Sequence, residues 1–376
     1  MYREDTQIRK MKKKNLLKVM GMVGLCLMLF TACGGKTIES TDSAEQDGDD
    51  GTVKVGLIVG TGGLGDQNFN DLAYAGLEKA RDELGITFDY SEPQSASDYA
   101  TYITQYAEDG SYDLIMLNAS EAESALAELA PKYPDQKFSI IDTTVEADNV
   151  VSLVKEFRDY TFLGGYLAGA MTGETNIENI NEDEVVGIVV GVDSPVMQEG
   201  ALGFRAGAKL ARAEADVRVG IVGAFDDPAT AKEITKSIYD DGGDIVMALA
   251  GGSSLGTVNQ AKESSLYAIG CTSENQIDTA PDNVMASCVE SLDTTVYAMC
   301  QELIDGKLEC GERMLGIDND YFVLSYGSSN VPVPQELKDK IENVVEALKS
   351  GELVIPETEE EIESWAAENS GYSYGG

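Results

Sequence analysis

Two glycine-rich segments match patterns that carry catalysis or cofactor binding in other proteins. Residues 60–65 fit G-x-G-x-x-G, the pattern of a dinucleotide-binding turn, with Asp89 as a candidate ribose contact. Residues 252–256 fit G-x-S-x-G, in which a serine acts as nucleophile. The chain has no histidine, so such a serine would lack its usual base. We interpret both segments as loops whose backbone can approach a ligand closely, and we expect neither an enzyme nor a bound cofactor.

A metal or redox site has no support in the cysteine spacing. Four cysteines follow the two glycine-rich segments in the chain: Cys271, Cys288, Cys300 and Cys310. No two of them form C-x-x-C. Cys271 and Cys288 end neighbouring predicted strands, which leaves a disulfide between them open. Buried free thiols are the alternative that we favour.

The start of the chain reads as an export signal followed by a tether. Lysines at positions 12–14 precede an apolar stretch over residues 19–30, which is short for a bilayer span. Phe30-Thr31-Ala32-Cys33 then resembles a lipobox. We therefore predict a signal peptide over residues 1–32, lipidation of Cys33, and a disordered acidic tether over residues 33–52. A transmembrane anchor is the alternative, and Met1 and Met11 are the two candidate start residues.

The composition is that of an acidic globular protein. The 376 residues carry a formal net charge of −39 at pH 7. A surface of this charge repels nucleic acid and anionic lipid, so we expect no nucleic-acid partner and membrane contact through the lipid anchor only.

Apolar runs alternate with helical patterns along most of the chain. In residues 69–85, Ala73, Leu77, Ala80 and Leu84 recur at helical spacing, and Gly85 suits a helix end. The apolar runs are residues 53–59, 114–117, 138–141, 185–190, 217–222, 245–249 and 267–269. Continuous apolar strands alternating with helices predict an α/β fold with doubly wound parallel sheets. Two such series, separated by residues 162–171, predict two lobes with a ligand cleft between them.

Several segments, in order, resemble the basic membrane protein (BMP) family of purine-nucleoside-receptor-type lipoproteins that serve ABC importers. The opening pair is Val55-Gly56-Leu57-Ile58-Val59 and Asp66-Gln67-Asn68-Phe69-Asn70. Further segments are residues 131–135, 138–142, 162–168, 203–208, 225–228, 250–252, 267–270 and 351–356. The resemblance implies a two-lobed type I periplasmic-binding-protein fold whose hinge has three chain crossings, which we place near Phe157, Glu290 and Tyr321.

This hinge divides the chain into segments. We predict an N-terminal lobe from residues 53–156 and 290–320, and a C-terminal lobe from residues 157–289 and 321–356. Residues 357–376 are acidic, and we expect them to form a flexible tail, with Trp365 outside the main core.

The resemblance also implies a set of ligand contacts. Phe69 would stack on a nucleobase, and backbone or polar groups of other residues would hold the rest of the ligand. The implied contacts are Asp66, Asn68, Phe69, Asn70, Asp142, Gly251, Gly252, Thr272 and Glu290. Gly200, Thr272 and Glu290 depart from the family pattern, in which a Phe, an Asp and a Lys are expected. Glu290 would either read a donor on the ligand or pair with a nearby Lys or Arg.

These features predict a lipid-anchored extracytoplasmic receptor that delivers a small polar solute to an ABC permease. A nucleoside or nucleoside-like solute is the expected ligand. The alternatives are a receptor of the same fold for a sugar, an amine or a signalling ligand, and an exported Rossmann-like enzyme.

Overall fold

The structure is a computed structural model that describes residues 52–66 and 69–374. The predicted signal peptide, Cys33, the tether up to residue 51 and Asn68 lie outside these residues. Secondary-structure elements are numbered here in chain order.

Twelve β-strands of the described chain form two six-stranded sheets. The strands are β1 (Lys54–Ile58), β2 (Thr87–Ser91), β3 (Leu114–Leu117), β4 (Lys137–Ile141), β5 (Val150–Lys155), β6 (Val185–Val190), β7 (Asp216–Ile221), β8 (Gly243–Leu249), β9 (Tyr267–Thr272), β10 (Val284–Glu290), β11 (Gly311–Leu315) and β12 (Phe322–Ser325). The first sheet has the order β11-β5-β4-β3-β1-β2, and the second has the order β12-β10-β9-β8-β6-β7. Only β12 pairs antiparallel among these strands. The predicted α/β architecture with two parallel sheets is confirmed.

Eleven α-helices connect and cover the strands in the described residues. They are α1 (Phe69–Leu84), α2 (Tyr99–Asp109), α3 (Glu123–Leu129), α4 (Phe157–Met171), α5 (Pro195–Ala211), α6 (Pro228–Asp240), α7 (Ser254–Ser264), α8 (Asn275–Thr279), α9 (Leu292–Ile304), α10 (Gln335–Ser350) and α11 (Glu359–Glu368). Helix α1 buries Ala73, Leu77 and Ala80 of the predicted apolar stripe, and the fourth member, Leu84, is half-buried. Gly85 follows with φ of 76°, a conformation that glycine adopts without strain.

The chain passes between the two sheets three times: after β5, after β10, and between β11 and β12. Two hydrogen bonds join these crossings, from the Glu156 N–H to the Leu315 carbonyl (2.9 Å) and from the Ser291 N–H to the Tyr321 carbonyl (2.8 Å). The crossings therefore lie side by side, next to the carboxyl ends of β5 and β10. We propose that the lobe boundaries predicted above follow them.

The last part of the chain differs from the sequence-based expectation of a flexible tail. Residues Glu359–Glu368 form α11, which packs against α5 and buries Ile362 and Ala366. Trp365 is half-buried, and its ring meets that of Phe162 edge-on at 6.1 Å between centroids. The acidic residues of this segment occupy the outer face of an amphipathic helix, so composition alone concealed a docked element.

The four cysteines of the described chain are free thiols. Cys271 and Cys288 lie opposite each other in register on β9 and β10, and both are buried. Burial raises the pKa of both thiols, which keeps them protonated and unreactive. No helix among the described residues is long and apolar enough to cross a bilayer.

Candidate ligand-binding site

Two non-glycine residues at equivalent places in the two sheets have left-handed backbone conformations. Asp142 directly follows β4 and has φ of 64°, and Thr272 ends β9 with φ of 70°. Strands β4 and β9 hold the same position in their sheet orders. A positive φ is uncommon outside glycine, and for a β-branched residue such as threonine it is an outlier. Such strain concentrates at functional sites, so the carboxyl ends of β4 and β9 are candidate positions for a site.

Lys155 lies at these strand ends and links the two sheets. It ends β5, and its Nζ lies 2.9 Å from Oε2 of Glu290, which ends β10 of the other sheet. The same Nζ lies 3.1 Å from Asp142 Oδ1. The Lys155 and Glu290 side chains are each 3% exposed. Glu290 also accepts a hydrogen bond from the Tyr321 hydroxyl (3.2 Å), so its carboxylate pairs within the protein.

Burial and the ion pair with Lys155 shift the pKa of Asp142 in opposite directions. Burial raises the pKa of Asp142 to about 6, since Lys155 lowers it too little to compensate and Glu290 raises it further. For Lys155, burial works to lower the pKa, but Asp142 and Glu290 more than offset this and leave the pKa raised. The cluster is therefore one buried cation shared by two carboxylates, of which Asp142 is the less well stabilised.

Phe69 joins the same cluster from the start of α1. The Lys155 ammonium lies 4.4 Å from the centre of its ring, a cation–π contact. Three of the predicted site residues, Phe69, Asp142 and Glu290, thus gather around Lys155. The sequence analysis missed Lys155. The available signal was a lysine directly before the first predicted crossing, at the end of a segment that is apolar apart from Ser152.

Asp66 and Asn70 organise the glycine-rich turn that precedes α1. Asn70 is 5% exposed, and its Oδ1 accepts hydrogen bonds from the Gly60 N–H (2.9 Å) and from Asn118 Nδ2 (3.1 Å). Its Nδ2 donates to the Gly63 carbonyl (3.0 Å). Asp66 Oδ2 accepts from the Asn70 N–H (2.9 Å) at the start of the helix. Both predicted contacts therefore shape the turn through their own hydrogen bonds.

The same turn is unsuited to a dinucleotide. The Leu64 N–H donates to Glu92 (3.2 Å) and the Gly65 N–H donates to Asp71 (2.8 Å), so carboxylates occupy amides that would cradle a pyrophosphate. Asp89, the candidate ribose contact, pairs with Lys54 at 3.1 Å. The turn is held by negative charge, which disfavours a phosphate.

The second glycine-rich segment lies at the matching edge of the second sheet. Gly251 and Gly252 begin a short 3₁₀ turn, Gly251–Ser253, after β8. Ser254, the serine at the nucleophile position of G-x-S-x-G, is fully buried, and its hydroxyl accepts from the Ala250 N–H (3.2 Å). Thr272 is 6% exposed and exchanges a hydrogen bond with the Tyr160 hydroxyl (3.0 Å). These serine and threonine hydroxyls thus serve the fold.

Two shallow surface concavities of about 400 Å³ lie at the other end of the first sheet, around the start of β11. Leu315 at the far end of β11 pairs with Lys155, so these concavities are remote from the cluster described above. Acidic side chains dominate their walls, which are formed by Glu146, Ala147, Asp148, Glu302, Lys307, Glu309, Cys310, Gly311, Glu312 and Arg313. The strand ends that carry Lys155 are therefore the candidate ligand site.

Solved structures with the same fold include ABC transporter solute-binding proteins. One from Aeropyrum pernix superposes with a TM-score of 0.72 at 23% identity, covering 85% of this chain and 98% of that one. Another, from Conexibacter woesei, gives a TM-score of 0.65 at 23% identity, covering 81% of this chain and 99% of that one. This similarity identifies the fold as the type I periplasmic-binding-protein fold.

Relatives of similar length are known by sequence. An uncharacterized lipoprotein of Pyrococcus abyssi is 27% identical, covering 94% of this chain and 95% of that protein. Basic membrane protein A of Borreliella burgdorferi is 25% identical, covering 93% of this chain and 99% of that protein. The family model described as "ABC transporter substrate-binding protein PnrA-like" (Bmp) matches residues 52–359, which span both sheets. The predicted resemblance is thereby confirmed, and the chain belongs to the PnrA-like family of ABC transporter substrate-binding proteins.

Proposed function

We propose that this chain is a lipid-anchored extracytoplasmic receptor that binds a nucleoside or nucleoside-like solute between its lobes and passes it to an ABC permease. The observation that carries the proposal is the grouping of Phe69, Asp142 and Lys155 where the chain crosses between the sheets. Ligands of open α/β sheets bind beyond the carboxyl ends of the strands. A solute at this edge would contact both lobes and favour their closure.

An aromatic ring beside a carboxylate suits a solute with a flat part and polar hydrogens. The base would stack on the face of Phe69 remote from Lys155, a contact worth about 1–3 kcal/mol. Asp142 would accept hydrogen bonds from hydroxyl or amino groups of the solute. Its raised pKa favours this role, since a donor on the solute would stabilise a carboxylate charge that burial disfavours.

The charges near Phe69 favour a nucleoside over a nucleotide. Asp66, Asp71 and Glu92 hold the turn that leads into α1, so a phosphate placed there would be repelled. The amine alternative loses its main support, because the Glu290 carboxylate is committed to Lys155 and Tyr321.

Calorimetry of the purified protein against nucleosides, nucleobases, nucleoside monophosphates, sugars and cationic vitamins tests the proposal. We expect one nucleoside bound per chain and no binding of the monophosphates. Phe69→Ala should weaken nucleoside binding about 5- to 150-fold, the value of one lost stack. Tyr90→Ala is the matched control, because this aromatic side chain lies on the edge strand β2 and is 44% exposed. Tight binding of a sugar or an amine without any nucleoside would refute the nucleoside assignment.

The anchor is proposed from the lipobox at Cys33, which lies outside the described residues. The naming of relatives in Pyrococcus as lipoproteins supports it.

A further inference from the structure

Asn118 directly follows β3, the strand that lies between β1 and β4 in the first sheet. All four residues of β3 are buried and apolar, so Asn118 is the first polar side chain at the carboxyl end of this strand. It is itself only 5% exposed. Its backbone N–H donates to the Ile58 carbonyl (2.9 Å), which places it beside the glycine-rich turn that follows β1. Asn118 therefore lies between that turn and the end of β4, where Asp142 follows.

The side-chain amide of Asn118 ties the start of α1 to the end of β3. Its Nδ2 donates to the Phe69 carbonyl (3.3 Å) and to Asn70 Oδ1 (3.1 Å). Phe69 is the first residue of α1, and helix ends fray readily. The Lys155 ammonium contacts the ring of Phe69, whereas Asn118 holds its backbone. Phe69 is thus fixed at two separate points.

The glycine-rich turn packs directly against both asparagines. A Cβ on Gly60 would lie 3.3 Å from Asn70 Oδ1 and 3.4 Å from the Asn118 carbonyl oxygen. Asn70 Oδ1 accepts from the Gly60 N–H as well as from Asn118, so the turn and the end of β3 meet at this one oxygen. Without the Asn118 amide, the Phe69 carbonyl would lose a donor, and a shift of the helix start toward water would supply a new one.

We infer that Asn118 is a positioning residue that holds Phe69 where its ring can stack on the solute. The inference rests on the proposed function and adds to it a residue that acts through Phe69. A ring that is held in place before binding loses little conformational entropy when a ligand stacks on it. Losing the Asn118 amide would therefore lower the affinity for flat solutes by releasing Phe69.

Fluorescence tests the position of the ring without any ligand. The chain has a single tryptophan, Trp365, so Phe69→Trp in a Trp365→Phe background places the only indole at the site. Adding Asn118→Ala should shift the indole emission to longer wavelength and increase its quenching by acrylamide, because the released ring becomes more accessible to water. Asn118→Leu fills the space of the amide without donating a hydrogen bond, and it should give the same change where Asn118→Ala does not fold.

Asn149→Ala is the matched control. Asn149 is also buried, and its Nδ2 donates to the carbonyls of Ala130, Tyr133 and Gln136 (3.1, 2.9 and 2.8 Å). It directly precedes β5, so it lies at the amino end of the first sheet, opposite to the end that carries Phe69. Its loss should lower the free energy of unfolding but leave the indole emission of the folded protein unchanged.

Calorimetry with adenosine measures whether Asn118 acts through Phe69. Asn118→Ala should weaken binding by as much as the value of one stack, about 5- to 150-fold. In a Phe69→Ala background the same substitution should cause no further loss, because the residue through which it acts is gone. Asn149→Ala should bind adenosine like the wild-type protein.

The outcomes separate this inference from the proposed function. If wild-type protein binds adenosine but Asn118→Ala changes neither emission nor affinity, the inference is wrong and the proposed function stands. Equal losses of affinity with and without Phe69, or equal effects of Asn149→Ala, would also overturn it. If Asn118→Ala shifts the indole emission but the wild-type protein binds no nucleoside, Asn118 does position Phe69 and the nucleoside assignment is wrong.

Discussion

Replacing Asp142 by Asn removes a charge from the centre of the site while preserving its shape. Asn tolerates the φ of 64° at this position, and its amide oxygen can still accept from Lys155. The pKa of Asp142 rises from 3.8 to about 6 on folding, chiefly through burial. Because the folded pKa lies above the unfolded one, the folded state holds more protons between about pH 4 and pH 6. Wild-type stability from this group therefore falls as the pH rises through that interval.

The size of the change in stability follows from the pKa shift of Asp142. A shift of about two pKa units corresponds to about 3 kcal/mol, of which about 2 kcal/mol develops between pH 4.5 and pH 7.5. Asp142→Asn lacks the titrating group, so its stability relative to wild type should increase by about 2 kcal/mol over this range. Denaturant unfolding of both proteins at a series of pH values measures the difference, in which the other titrating groups cancel.

Glu128→Gln provides a control of opposite sign. A hydrogen bond and ion pair with Lys132 lower the pKa of Glu128, so this exposed group stabilises the fold above its unfolded pKa. The Glu128→Gln protein should lose a little stability relative to wild type as the pH rises. If Asp142→Asn behaved in the same way, the ion pair with Lys155 would outweigh burial, and our account of the Asp142 charge would be refuted.

Three further predictions concern the cluster, the glycine-rich turn and the anchor. Lys155→Met should destabilise the protein by about 3–5 kcal/mol in denaturant unfolding at pH 7.5, because two buried carboxylates lose their cation. Glu290→Gln should destabilise it less, because Lys155 keeps its ion pair with Asp142. Equal losses would contradict this. Asn70→Ala should lower the free energy of unfolding by about 1–3 kcal/mol for each buried group that it leaves unpaired, and an unchanged value would show that the turn is held by other contacts. Cys33→Ser should abolish lipid attachment, as measured by mass spectrometry of the N-terminal peptide, and lipid-free wild-type protein would refute the anchor.

The framework of the fold could be predicted from the sequence because parallel strands that are buried on both faces are continuous apolar runs. The runs at residues 114–117 and 185–190 correspond to β3 and β6 without a shift. Each is fully buried, so every position is apolar and the pattern is unbroken. Strand β11, Gly311–Leu315, was missed because it is an edge strand with the mixed sequence Gly-Glu-Arg-Met-Leu, in which exposure permits charged residues.

The candidate site was only partly predictable. The resemblance selected Phe69 and Asp142, which meet at Lys155, but Lys155 itself lies at the end of β5 and gave no local motif. Its importance arises from pairing with Glu290, 135 residues later in the chain. The left-handed backbone of Asp142 and Thr272 also leaves no sequence signature, since only glycine marks that conformation reliably. Such features depend on which strands end side by side.

Competition native mass spectrometry tests the central proposal most directly. The purified protein is incubated with an equimolar mixture of nucleosides, nucleobases, sugars and amines, and the bound species are weighed. A receptor for nucleosides predicts a single adduct of nucleoside mass per chain, released unchanged on denaturation. A sugar or amine adduct, the absence of any adduct, or a solute recovered with altered mass would contradict it.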